Sequence, residues 1–315
     1  MNKKQNIPWV EKYRPDSFNN IVLDEYNKEI LQNIIKDNYF PNLLFYGPPG
    51  TGKTTTIINL INIYQQKHNQ VNKGLMIHLN ASDERGIDII RNQINTFVSS
   101  KALFVKGVKF VILDEVDYMT KNAQQALKYL LEEHNDNVRF CLICNYISRI
   151  EESLQNSFVK LRFNQLPEED IINFINKINI NEKLNYPYET MGYIQKKYKS
   201  DMRSMINFMQ SNQDYKNNRY NIINSITYNN ISNIIRTGVL KDFHNLIYDI
   251  SIKYRIDINN LIIDYLAYMI TENIVILNSE TIDKYEFIIH NNNNFDIKNK
   301  LNYLFFCVSN VFKLS

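Results

Sequence analysis

Short apolar runs alternate with segments of helical periodicity through the first half of the chain. Runs of strand character lie at residues 43–46, 75–80, 109–117, 138–145 and 159–163. Helical spacing of apolar residues lies between these runs, at 24–36, 55–64 and 123–133. Strands that alternate with helices indicate an α/β fold, in which a mainly parallel sheet is covered by helices on both faces. Such sheets bind ligands at the carboxyl ends of their strands.

After residue 166 the apolar pattern becomes helical. Helical spacing is found at 167–178, 188–197 and 201–210, and again at 242–253 and 259–272. A polar stretch at 211–221 has the composition of a linker. We therefore predict three domains: an α/β domain at 1–165, a small helical domain at 166–220 and an all-helical domain at 221–315.

The segment between the first apolar run and the helix that follows has a phosphate-binding pattern. Gly47 is followed, after four residues, by Gly52-Lys53-Thr54 in a strand–loop–helix context. Glycines allow a tight turn whose N–H groups point at phosphate oxygens, and the start of the helix favours the same anion. Lys53 can reach the β- and γ-phosphates, and the Thr54 hydroxyl can ligate Mg²⁺. The loop residues predicted to bind the nucleotide are Gly47, Pro48, Pro49, Gly50, Thr51, Gly52, Lys53 and Thr54.

Acidic and amide side chains follow two later apolar runs. Asp114 and Glu115 are adjacent, so they point in different directions from the end of a strand. This arrangement suits phosphoryl transfer, with Asp114 holding Mg²⁺ beside Thr54 and Glu115 orienting and deprotonating a water. Asn145 ends the neighbouring run, where it can hydrogen-bond that water or the γ-phosphate.

Composition and charge narrow the class of protein. A chain of 315 residues exceeds the usual size of one compact core, and 44% hydrophobic with 22% charged residues is typical of globular proteins. A net charge of +3 permits nucleic-acid binding without indicating it. The three cysteines cannot form a disulfide framework. Cys141 and Cys144 lie three apart in a strand and face opposite sides, so we interpret them as core residues and not as a metal pair.

Targeting signals are lacking in the sequence pattern. Lys3 and Lys4 precede no apolar segment, so we predict no signal peptide. The most apolar later run, 261–270, is interrupted by Asp264 and is too short to span a bilayer. We expect an intracellular protein without a membrane partner.

Several segments together resemble the motifs of one family. They are PWVEKYRP at 8–15, GPPGTGKT at 47–54, NASDERGIDIIRNQI at 80–94, LDEVD at 113–117 and CLICNY at 141–146. In this order they resemble the small subunits of replication factor C-type clamp loaders, which are AAA+ ATPases, and the resemblance covers residues 8 to 210. It implies an AAA+ P-loop domain, a helical lid and a helical collar that joins five subunits into a ring. Such hetero-pentamers use ATP and Mg²⁺ to open a sliding clamp and place it on primer–template DNA.

The resemblance also assigns individual residues. Val10 and Arg14 would flank the nucleotide base and ribose, Asn145 matches the sensor-1 position, and Arg203 matches the sensor-2 arginine that reaches the γ-phosphate. Without the motif, Arg203 would be interpreted as a solvated helix arginine. The residues implied to be catalytic are Lys53, Glu115, Asn145 and Arg203. The residues implied to contact DNA are Arg85, Ile87, Arg91, Thr120 and Lys121, and the segment 97–105 is expected on the face that meets the clamp.

The sequence departs from the family pattern where each subunit completes its neighbour's ATP site. The Ser-Arg-Cys motif, source of the arginine finger, is replaced by Asn156-Ser157-Phe158. In the helix after the acidic strand, paired arginines are replaced by Lys128-Tyr129. The chain's own ATP site retains its motif residues.

Two other functions are consistent with the phosphate-binding loop. One is a ring scaffold that binds ATP without productive turnover. The other is a different AAA+ DNA motor, such as a branch-migration helicase, against which the segments at 8–15 and 80–94 argue. The expected location is the nucleus for a cellular eukaryotic protein and a cytoplasmic replication site for a viral one.

Overall fold

The computed structural model describes most of the chain. The described residues are 7–37, 39–82, 89–100, 107–133, 137–213, 223, 225–272, 278–290 and 296–314. The chain divides into two compact units, Met1–Asp214 and Tyr215–Ser315.

A five-stranded sheet forms the centre of the first unit. Its strands are β1 (Leu43–Tyr46), β2 (Met76–Asn80), β3 (Lys109–Asp114), β4 (Val138–Cys144) and β5 (Val159–Arg162). Their order is β2-β3-β4-β1-β5, and each pairing is parallel. The predicted parallel sheet is therefore confirmed. Leu75, predicted to begin β2, instead ends a short 3₁₀ turn.

The order of the strands brings the polar segments of the sequence to one edge of the sheet. β1 and β3 both pair with β4, and all three run in the same direction. Tyr46, the last residue of β1, pairs with Cys144, the last residue of β4. The phosphate loop, Asn145 and the two acidic residues therefore leave the sheet side by side.

Helices cover both faces of the sheet. The helices of this unit are α1 (Trp9–Lys12), α2 (Glu25–Lys36), α3 (Lys53–Lys67), α4 (Asn95–Ser99), α5 (Lys121–Glu133), α6 (Glu152–Gln155), α7 (Glu168–Asn181), α8 (Tyr188–Tyr198) and α9 (Met202–Ser211). A π-helical segment, Ile89–Ile94, precedes α4. Of the segment expected to meet the clamp, Phe97 to Ser99 belong to α4, and residues 101–106 lie outside the described part.

Alternation along β3 and β4 divides the core between the two faces. Phe110 and Ile112 pack in one cluster with residues of α2 and α3, whereas Val111 and Leu113 pack in another with residues of α5. Cys141 belongs to the first cluster and is fully buried. Cys144 belongs to the second and is 1% exposed, which confirms the interpretation of both thiols as core residues on opposite sides of the sheet.

The described residues of the second unit are helical. Its helices are α10 (Ser225–Thr237), α11 (Leu240–Tyr254), α12 (Ile258–Thr271), α13 (Ser279–His290) and α14 (Ile297–Leu314). They share a core in which Tyr265 is 1% exposed and its hydroxyl lies 2.9 Å from the Ser232 hydroxyl. In the described parts of both units, every helix is too short or too polar to cross a bilayer.

Candidate nucleotide site

A cavity of about 380 Å³ opens at the sheet edge where β1, β3 and β4 end. This volume is within the range of small-molecule sites. Its walls come from α1, the phosphate loop, the ends of β3 and β4, and helices α7 and α9. The predicted residues that line it are Val10, Arg14, Pro49, Gly50, Thr51, Gly52, Lys53, Thr54, Asp114, Glu115, Asn145 and Arg203.

Lys53 begins α3 and its ammonium group is held by the phosphate loop. The residue is 6% exposed. Its Nζ donates to the backbone oxygens of Gly47 (2.8 Å) and Pro48 (2.7 Å) and to Asn145 Oδ1 (3.1 Å). Burial lowers the pKa of Lys53, since desolvation disfavours the charged form. These described hydrogen-bond acceptors are all uncharged, so an anionic ligand would compensate the buried charge far better.

All three glycines of the loop adopt conformations that other residues rarely take, and at two of them a Cβ would also collide with a neighbouring residue. Gly47 has φ +142°, and a Cβ there would lie 2.1 Å from the Phe163 carbonyl oxygen at the end of β5. Gly50 has φ +73°, and its Cβ would lie 1.9 Å from Asp201 Oδ1. Asp201 is the N-cap of α9, and the Met202 N–H donates to the Gly50 carbonyl (3.2 Å). The loop is therefore packed directly against the start of the helix that carries Arg203.

Thr54 and Asp114 meet at the position predicted for a metal ion. The Thr54 hydroxyl donates to Asp114 Oδ2 (2.7 Å), and the Glu115 N–H donates to Asp114 Oδ1 (3.0 Å). Burial by itself would raise the pKa of Asp114. The nearby His78 imidazole, the Thr54 hydroxyl and the Glu115 N–H outweigh that effect, and the pKa lies below its usual value. A hydroxyl beside an ionised carboxylate is a suitable oxygen donor set for Mg²⁺.

Glu115 follows β3 in a left-handed conformation, with φ +57° and ψ +37°. For a residue with a Cβ this conformation is uncommon, and it clusters at functional sites. Its side chain is half-buried and lines the cavity beside Asp114. The left-handed turn directs the Glu115 carboxylate away from that of Asp114. This arrangement suits Asp114 to a metal ion and Glu115 to an attacking water.

Sequence reasoning missed a histidine in this site. His78 lies in the middle of β2 and lines the cavity, with its Nε2 3.9 Å from Asp114 Oδ2. The alternation of β2 gave no signal for it, because a polar residue on an edge strand is ordinarily a solvated one. Its proximity to Asp114 follows from the pairing of β2 with β3.

Helices α1, α7 and α9 form another wall of the cavity. Arg14 Nε donates to the Thr55 hydroxyl (3.2 Å), which places this arginine beside the start of α3. Arg203 is exposed, yet it lines the cavity, where its positive charge repels that of Lys53 and contributes to the lowered pKa of the lysine. Arg14, two residues after α1, and Arg203, on α9, thus both lie at the cavity.

Of the residues implied to contact DNA, the structure describes Thr120 and Lys121 in full. Arg85 and Ile87 are outside the described residues, and Arg91 lies in the π-helical segment, with its side chain outside the described part. Thr120 and Lys121 are exposed at the start of α5, and Lys121 pairs with Glu151 (3.4 Å). Both are absent from the residues that line the cavity.

The position of the missing finger is on the surface. Ser157 is exposed directly after α6, and the next residue, Phe158, is 7% exposed and packs in the core. Lys128 lies 4.0 Å from Glu132 one turn along α5, and Tyr129 is exposed. An arginine at position 157 would therefore be accessible to a neighbouring molecule, whereas the serine is short and uncharged.

Comparison with known proteins agrees with the motifs of the sequence. Residues 43–166 match the model of the ATPase family associated with various cellular activities, AAA. The chain is 41% identical over 210 residues to human replication factor C subunit 5, an alignment covering 66% of this chain and 61% of that protein. It is 39% identical over 209 residues to replication factor C subunit 3 of Saccharomyces cerevisiae, covering 66% and 60%. It is 41% identical over 216 residues to the replication factor C small subunit of Sulfurisphaera tokodaii, covering 68% and 65%.

A solved structure shares the fold. It is the Holliday junction branch migration motor RuvB of Thermotoga maritima, with a TM-score of 0.54, 14% identity, and coverage of 85% of this chain and 93% of that one. At this identity the likeness concerns the fold alone. The chain spans about three fifths of the length of the curated relatives named above. The protein thus contains an AAA ATPase domain and is related in sequence to the small subunits of replication factor C.

Proposed function

We propose that this protein is an ATP-binding and ATP-hydrolysing subunit of a replication factor C-like clamp loader. In this role it uses ATP to open a sliding clamp and load it onto primer–template DNA. The observation that supports the proposal most strongly is the convergence of Lys53, Asn145, Asp114 and Glu115 on one cavity at the carboxyl edge of a parallel sheet. The similarity to replication factor C subunits supports the choice of clamp loading among the activities of AAA proteins.

Each residue at the phosphate end has a role that follows from its chemistry. Lys53 exchanges its backbone acceptors for phosphate oxygens and neutralises their charge. Thr54 and Asp114 would hold Mg²⁺, which would supply positive charge to the phosphate groups during the transfer. Glu115 accepts a proton from the attacking water, and Asn145 hydrogen-bonds that water or the γ-phosphate.

Arg203 links hydrolysis to movement of helices α7 to α9, which we call the lid. The first turn of α9 packs against the phosphate loop at Gly50. Loss of the γ-phosphate on hydrolysis would therefore alter the contacts of this turn. An arginine at that position stabilises the triphosphate form by its charge and loses the contact after hydrolysis. The lid movement that results is proposed to pass to the rest of the ring.

Contact with DNA is proposed for Arg85, Ile87, Arg91, Thr120 and Lys121. Guanidinium, ammonium and hydroxyl groups bind phosphates without reading bases. Sequence-blind contact is what a loader requires, since it acts at any primer end. Other loader subunits and the sliding clamp are the further proposed partners, with the helical domain predicted at 221–315 proposed to join the ring.

Ser157 indicates a position for the subunit in the ring. An arginine given in trans contributes roughly 10³–10⁵ to the rate in related phosphoryl-transfer enzymes. Serine cannot replace it, and Lys128 offers a point charge from a different helix in place of a planar fork. We propose that the face bearing Ser157 meets the gap in the ring or a partner whose site does not turn over.

The alternative is a scaffold that binds ATP without turnover. The presence of Glu115 beside Asp114 in the cavity favours turnover, because a scaffold has no need of a general base there. The two functions predict different results for the same variant.

A clamp-loading assay separates them. The chain is assembled with partner subunits, clamp and primer–template DNA, and clamp loading and phosphate release are followed together. Lys53→Ala should abolish loading, and Glu115→Gln should retain ATP-dependent clamp binding while slowing phosphate release. An unchanged rate of release with Glu115→Gln would favour the scaffold. Failure of the wild-type assembly to bind any clamp would contradict the proposal itself.

A further inference from the structure

Helix α1, which borders the cavity, is held in place by contacts with helices α7 and α9 of the lid. Helix α1 contributes Val10 to the cavity wall, and Arg14, which also lines the cavity, lies two residues after its last residue. With four residues, α1 is far below the length at which an isolated helix is stable in water. Its position therefore depends on contacts with other elements.

The described contacts of α1 lead to α7 and α9. The Trp9 indole is 6% exposed, and its backbone N–H donates to Gln210 Oε1 on α9 (2.9 Å). The Lys12 ammonium and the Tyr13 hydroxyl both donate to Oε1 of Glu182, the C-cap residue of α7. Both of these contacts converge on one carboxylate oxygen, in a segment about 170 residues away in sequence.

The environment of Glu182 strengthens this arrangement. Its side chain is 16% exposed, whereas that of Lys12 is 45% exposed. Burial, together with the hydrogen bond to Glu182, raises the pKa of Tyr13, so the phenol remains a hydrogen-bond donor at neutral pH. Hydrogen bonds to a charged and partly buried carboxylate are stronger than neutral ones.

We propose that Glu182 is a positioning residue for the base of the bound nucleotide. It fixes α1 on the lid, and α1 in turn presents Val10 and Arg14 to the base and ribose. This inference rests on the proposed function, because it assumes that the cavity binds ATP. It adds a residue outside the cavity lining as a determinant of nucleotide affinity.

The two ends of the nucleotide are predicted to respond differently to loss of this contact. The phosphate end is held by the loop and by the Gly50–Met202 contact, which do not involve Glu182. Removal of the Glu182 carboxylate should therefore weaken ATP and ADP equally, leaving their affinity ratio unchanged. Affinity for GTP should fall less than affinity for ATP, since the lost element is the one that recognises the base.

The test is calorimetric titration of the full chain with ATP, ADP and GTP, each with Mg²⁺. Glu182→Met keeps the length of the side chain and removes both hydrogen bonds. The matched control is Glu169→Met, which removes an exposed carboxylate from the first turn of the same helix. We expect Glu182→Met to raise the Kd for ATP and ADP about tenfold, which corresponds to ~1.4 kcal/mol, with no change in the control.

A milder variant provides a test that does not depend on correct folding of Glu182→Met. Tyr13→Phe removes one hydrogen bond, keeps the ring, and should raise the Kd by a smaller factor. The double variant Tyr13→Phe with Glu182→Met should bind ATP as tightly as Glu182→Met alone, because both changes break the same hydrogen bond. Additive effects, an unchanged Kd for ATP in Glu182→Met, or a change in the ATP-to-ADP ratio would overturn the inference. Failure of the wild-type chain to bind ATP would instead overturn the proposed function, and this inference with it.

Discussion

Replacement of Gly50 by alanine tests whether the phosphate loop and the lid are joined as the structure has them. Gly50 lies at φ +73°, and a left-handed conformation costs a residue with a Cβ about 1–2 kcal/mol. Gly52, two residues later in the same loop and the N-cap of α3, provides a matched control. It lies at φ +84°, and a Cβ there would meet no atom within 4 Å.

The difference between the two glycines comes from Asp201. The alanine Cβ at position 50 would lie 1.9 Å from Asp201 Oδ1 and 3.0 Å from Asp201 Cα. Asp201 must then rotate away and lose its hydrogen bonds from the Ser204 N–H (3.0 Å) and hydroxyl (2.7 Å). Loss of an N-cap costs about 0.5–2 kcal/mol. We therefore expect Gly50→Ala to lower the free energy of unfolding by about 1.5–4 kcal/mol and Gly52→Ala by about 1–2 kcal/mol.

The single tryptophan offers a local assay. Trp9 is buried and its backbone is bonded to α9, so its fluorescence reports unfolding of the first unit around the lid. Urea unfolding without nucleotide measures the effect apart from ligand binding. In an Asp201→Ala background the cap is already absent, and the additional cost of Gly50→Ala should fall to that of Gly52→Ala. Equal costs for the two glycine variants in the wild-type background would refute the reasoning.

Further predictions concern hydrolysis, DNA and the ring. Glu115→Gln should leave the Kd for ATP unchanged and remove hydrolysis by this site, measured by single-turnover phosphate release; retained hydrolysis would contradict the assigned base. Arg85→Ala and Arg91→Ala should each reduce the slope of log K for primer–template DNA against log salt by about one unit, equally for different sequences, and a sequence-selective loss would argue against phosphate contact. Ser157→Arg should leave clamp loading nearly unchanged, and a marked gain in ATPase rate would show that a competent site lies opposite it.

The sequence was sufficient to predict the sheet and the residues at its carboxyl edge. The apolar runs are long enough to identify each strand, and the loop of Gly47 to Thr54 has a spacing that few other structures share. Strand order cannot be read from such runs, yet Lys53 meets Asn145 only because β4 lies beside β1. His78 was missed for the same reason, since its neighbour Asp114 lies on the adjacent strand.

Contacts over long sequence separations were beyond prediction. The role of Gly50 appeared to concern only phosphate, whereas its missing Cβ also makes room for Asp201, about 150 residues later. Nothing in the segment around Trp9 indicated α9 as its partner. Glu182 carried no signal, because a glutamate after a helix is ordinarily solvated.

The central claim, that the cavity is a site for ATP with Mg²⁺, is tested most directly by titration of the purified chain. Isothermal calorimetry with ATP and Mg²⁺ should show one saturable site per chain in the wild type. Lys53→Ala should abolish that binding while the unfolding transition of Trp9 remains cooperative. Absence of saturable binding to the folded wild-type chain, or binding that Lys53→Ala leaves unchanged, would contradict the account.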